Sequence, residues 1–94
     1  MQNPNQSEIY QTEDAIRKLK ADVDRLSKES RAKATELNDL KAKLAPLKDD
    51  IAIVMMKNRI KDLEKKLTPV NSDLRDAQRV LRIYKDTLRR LEGW

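Results

Sequence analysis

Apolar residues in this chain recur at alternating spacings of three and four, which commits most of its length to helices covered along one side. One series runs Ile9, Thr12, Ile16, Leu19, Val23, Leu26, Ser30, Lys33, Leu37, Leu40, Leu44, Leu47, Ile51 and Val54. These fill successive a and d positions of a heptad, with Ser30 and Lys33 as clear breaks and Thr12 as a mild one. A second series runs Ile53, Met56, Ile60, Leu63, Leu67, Val70, Leu74, Ala77, Leu81, Tyr84, Leu88 and Leu91. Each spans roughly six heptads, more than a lone amphipathic helix sustains. Leaving such a stripe in water forfeits about 25 cal/mol per Å² of apolar surface, which outweighs helix propensity. The expected fold is all-α: a long heptad-repeat coiled coil.

Composition agrees with exposed helices rather than a core wrapped in loops. Of 94 residues, 39% are charged and 38% hydrophobic, with one glycine and no phenylalanine. A chain this short holds one domain at most. Cysteine and histidine are absent, which excludes disulfides, thiol chemistry, the usual zinc sites and imidazole catalysis. No glycine-rich phosphate loop, metal-ligand spacing or nucleophile motif occurs, so the expectation is a chain without catalysis, cofactor or metal. The longest apolar run, 51–56, falls far short of the roughly 20 residues that cross a bilayer. The first seven residues carry neither a basic head nor an apolar stretch, so the expected location is intracellular and cytoplasmic.

The two series do not share a register. From Ile51 to Ile60 is nine residues where seven would keep phase, and at about 100° per residue the stripe moves roughly half-way round the helix. The junction carries Ile51, Ile53, Val54, Met55 and Met56 and is apolar on every face. A local break, a helix that changes partner side, or a node where several helices converge would each account for it. Greasiness favours the last two, and the adaptable methionines suit a partner-binding node.

Proline marks two joints. Inside a helix it loses a hydrogen bond, clashes with the preceding turn and costs about 3 kcal/mol. Pro46 reads as a kink, whereas Thr68-Pro69 reads as a cap followed by a first helical position. The expected organisation is a disordered tail at 1–7, a coiled-coil helix at 8–45, a helix with the node at 46–67, and a C-terminal helix at 69–92. A bent rod is the first expectation, since roughly 85 helical residues reach about 125 Å. A bundle folded back at the prolines is the second.

Candidate oligomer-seam residues are Ile16, Leu19, Val23, Leu26, Leu37, Leu40, Leu44, Leu47, Ile60, Leu63, Leu67, Leu74, Leu81, Tyr84, Leu88 and Leu91. Branched residues at a (Ile9, Ile16, Val23) with leucine at d favour parallel pairing. In a parallel pair Glu36 would face Lys41 and Arg59 would face Glu64, while Glu8 against Glu13 and Lys43 against Lys48 would repel. These mixed signs leave an antiparallel or heteromeric partner open. Val80 and Ile83 widen the stripe toward that of a bundle helix at the C-terminal end. Arg75, Arg79, Arg82, Arg89 and Arg90 form a loose basic stripe suited to an acidic protein, or alternatively to nucleic acid. The functional expectation is a scaffold, spacer or assembly subunit that acts by self-association or heteromeric helix packing.

Overall fold

The chain doubles back on itself as an elongated two-helix hairpin. The computed structural model describes residues 2–94; Met1, part of the tail expected at 1–7, lies outside them. Helix α1 spans Gln6–Leu44 and helix α2 spans Asp50–Glu92. The molecule measures 75 × 15 × 14 Å. Its radius of gyration, 21.0 Å, compares with about 12 Å for a compact domain of this length.

Three local signals make the reversal. Pro46 has no N–H to extend the helical ladder, so α1 stops at Leu44, and the Leu47 N–H turns back onto the Leu44 carbonyl at 3.1 Å. Asp49 then takes an extended backbone, and its side chain caps α2 by accepting from the Ile51 N–H at 3.3 Å. Asp50 adds negative charge in the first turn, where the helix dipole favours it. Residues 45–49 thus form a short connection of the kind that joins antiparallel helices. Pro46 is a turn residue rather than a kink within a rod, and the continuous rod gives way to the folded-back arrangement. Intramolecular pairing is antiparallel, against the parallel tendency of the branched a positions.

Pro69 behaves differently from expectation. No helix starts there; α2 runs through it. Leu63 and Val70 are buried against α1 on either side of it, and stopping at residue 67 would uncover that line. Pro69 itself is exposed, so the carbonyl it leaves unpaired faces water. The Thr68 hydroxyl donates to the Glu64 carbonyl at 3.0 Å instead of capping a new helix.

The interior is a single line. Ile9, Ile16, Leu26 and Leu37 of α1 and Ile60, Leu63 and Val70 of α2 are buried. Near the turn Leu37, Ile60 and Leu63 form a buried cluster, with Leu40, Leu44, Met56 and Leu67 against it. Among the described residues no large side chain is sealed completely from solvent. Thr12 is buried within the line because its hydroxyl donates to the Glu8 carbonyl at 2.7 Å.

The nominal tail is tied down as well. Helix α1 begins at Gln6, and the Asn3 and Asn5 side-chain amides donate to the Leu91 carbonyl at 2.9 and 3.4 Å. That carbonyl is one of the last four of α2, which lack intrahelical donors. Residues 3–5 therefore close the open end of the hairpin, where disorder was expected.

Replacing Pro69 with Ala tests the continuous α2. The substitution is expected to stabilise the fold by about 1–3 kcal/mol and to raise the melting temperature followed by circular dichroism. A helix that began at residue 69 would be indifferent to the change or weakened by it.

Candidate interaction surface

The expected seam residues meet each other inside one chain. Leu19, Val23, Leu40, Leu44 and Leu47 are half-buried, as are Leu67, Leu74, Leu81, Leu88 and Leu91, and they continue the line set by the buried Ile16, Leu26, Leu37, Ile60 and Leu63. Tyr84 is the outlier. It remains 38% exposed at the edge of the line.

The polar gap in α1 meets a polar partner. The Ser30 hydroxyl donates to Asn71 Oδ1 at 2.6 Å, across the two helices. A polar pair within an apolar line fixes which residues face each other, because sliding either helix would strand both groups. Lys33, the second break, is half-buried and pairs with Glu29 of its own helix at 3.8 Å. Between helices the charges also pair differently from the parallel scheme. Lys41 reaches Glu64 at 4.0 Å, and Glu36 and Arg59 line one depression with Leu40, Asp62, Leu63 and Lys66. The Lys41–Glu64 pair is half-exposed and contributes little.

The junction residues divide between two faces. Met56 packs into the core cluster and Ile53 is half-buried. Ile51, Val54 and Met55 are 71%, 57% and 60% exposed and, with Asp50, line an apolar depression at the start of α2. The register shift is a chain reversal: the segment after it presents a new stripe to α1, and the residues that continue the old stripe turn outward. A local break, which greasiness disfavoured, lies at 45–49, and the apolar residues follow the turn rather than compose it. Further along α2, Val80, Ile83 and Tyr84 form a second exposed apolar group. Tyr10 and Trp94 are exposed singly.

The arginine stripe lies in solvent. Arg75, Arg79, Arg82, Arg89 and Arg90 are all exposed, and among the described residues only Arg79 is ion-paired, to Asp76 at 2.7 Å. No group of three or more acidic, cysteine or histidine side chains among the described residues is placed to hold a metal ion. No helix among them is long and apolar enough to cross a membrane.

Some participants carried only weak signals in the sequence. Asp49 before a helical run is a recognisable cap signal. Asn71 gave none, since its importance depends on Ser30 lying opposite. Asn3 and Asn5 act only because the chain returns its far end to them. No protein-family model, curated protein or solved structure matches this chain.

The Ser30–Asn71 bond is expected to show up as coupling. In a double-mutant cycle of Ser30→Ala and Asn71→Ala, urea unfolding should give an interaction energy of about 0.5–1.5 kcal/mol. Strictly additive effects would contradict a shared hydrogen bond.

Proposed function

We propose that this chain is a non-catalytic helical assembly module, a scaffold or spacer subunit that works by packing against further helices, its own copies first among them. One observation carries the reading: Ile51, Val54 and Met55 stand exposed on the side of α2 that α1 does not cover. A monomer gains nothing from apolar residues clustered there, and clustered exposed apolar surface is the mark of an interaction site.

The economy of the fold points the same way. The hairpin exposes 7338 Å² for 11.0 kDa, whereas a compact monomer of that mass exposes about 5,600 Å². Two helices supply one line of contact. Each has a wide remaining surface on which a third or fourth helix of a heptad-repeat bundle would lie. The 75 Å span is what such a subunit contributes to an assembly.

A second reading rests on the exposed arginines, four of them without an ion pair among the described residues. As a phosphate- or acid-binding face they would give steeply salt-dependent binding to nucleic acid. Absence of binding to single- or double-stranded DNA at low salt would dismiss it.

Light scattering coupled to size exclusion tests the main reading. The expected result is a mass above 11.0 kDa that rises with concentration, accompanied by a melting temperature that rises likewise. A constant monomer mass with a concentration-independent melting temperature would contradict it.

A further inference from the structure

We propose that two hairpins associate antiparallel through the outer face of α2, about a two-fold axis passing beside Pro69. This rests on the reading of the chain as a self-associating module and specifies the surface and its symmetry.

Met55, Asp62, Pro69, Asp76 and Ile83 recur at intervals of seven and are all exposed, so they form one row along an exposed flank of α2, with Asp62 at the edge of the depression shared with α1. Heptad spacing is what a second helix crossing at a shallow angle follows. The row is symmetric in character about Pro69. Fourteen residues before it stands Met55, with Ile51 and Val54 beside it; fourteen residues after it stands Ile83, with Val80 and Tyr84 beside it. A two-fold axis at Pro69 therefore lays Met55 of each copy on Ile83 of the other. Such an isologous contact repeats every interaction twice and closes after two copies.

Charge selects the direction. Between the apolar groups the exposed face carries Asp62, Lys65, Lys66, Asp73 and Asp76. Run antiparallel, Lys65 of one copy opposes Asp73 of the other, with Lys66 close beside it, and this occurs twice. Asp62 opposes Asp76, a like pair that the adjacent lysines and the Arg79 guanidinium already bound to Asp76 offset. Run parallel, the row residues Asp62 and Asp76 would each meet their own copies, and Lys65 would lose the opposing Asp73. Pro69 at the axis has no long side chain to hold the helices apart.

Residues 51–87 of α2 span about 54 Å, and a contact that long and about 10 Å wide buries on the order of 1,000 Å² in total. That is near the lower limit for a specific interface and fits a reversible, micromolar dimer rather than an obligate one.

The absence of cysteine from the 94 residues makes the geometry directly testable in this chain. Under mild oxidation Pro69→Cys is expected to form a disulfide-linked dimer. Met55→Cys and Ile83→Cys should each remain unlinked alone and should cross-link when mixed. Self-linking of Met55→Cys without linking in the mixture would overturn the antiparallel axis. Sedimentation equilibrium supplies the second arm: Met55→Asp and Ile83→Asp should each weaken dimerisation at least tenfold while helicity is retained, since both positions are exposed. An oligomer equally strong in both variants would refute this face but leave self-association standing. A wild-type chain that stays monomeric on the order of 100 µM, well above a micromolar Kd, would end both readings. A monomer whose Met55→Asp variant loses binding to anionic vesicles would assign the apolar group to a lipid surface and would likewise overturn the dimer.

Discussion

The molecule depends on one line of apolar side chains from α1 packed against one line from α2. Among the described residues no third layer shares the load. Each buried position along that line is worth about 1.5–3 kcal/mol when removed from water, and the line must outweigh the ordering of a long chain by itself. This explains why α2 continues through Pro69. The helical penalty there is smaller than the loss from ending the contact between Leu63 and Leu74.

Polar groups set the alignment of that line rather than its strength. The Pro46 turn and the Asp49 cap fix where the chain reverses. Ser30 with Asn71 fixes the middle. Asn3 and Asn5 secure the far end by taking up the Leu91 carbonyl. These contacts together choose one register from several that alternating apolar residues would tolerate. The surface ion pairs within each helix, such as Lys18 with Asp14 and Lys28 with Asp24, are solvated and add only tenths of a kcal/mol.

Much of this architecture is legible in the sequence. Apart from Ile51, Val54 and Tyr84, the apolar residues of the two series are those that line the contact, because spacing by three and four determines which side of a helix is covered whatever covers it. The phase shift between Ile51 and Ile60 marks the discontinuity. What spacing does not reveal is whether the covering helix belongs to the same chain, and here the proline signals misled. Pro46 and Pro69 have similar local surroundings, yet one ends a helix and the other lies within one. The difference is tertiary: an Asp49 cap follows the first, while the second lies midway along a line of burial. The outward position of Ile51, Val54 and Met55 was equally hidden, since it follows from the reversal rather than from their identity. Those side chains are what the hairpin leaves unsatisfied, and they are where its capacity to join other helices resides.

The reversal itself is the claim on which the rest stands. Spin labels at Glu8 and Arg90, both exposed and near opposite ends of the sequence, measure it directly by pulsed dipolar spectroscopy, with excess unlabelled chain added to isolate distances within one molecule. Side-by-side helices, whose axes lie about 8–10 Å apart, predict a narrow distribution within about 25 Å. A distance approaching 120 Å, the length of an uninterrupted helix between those positions, would contradict the hairpin.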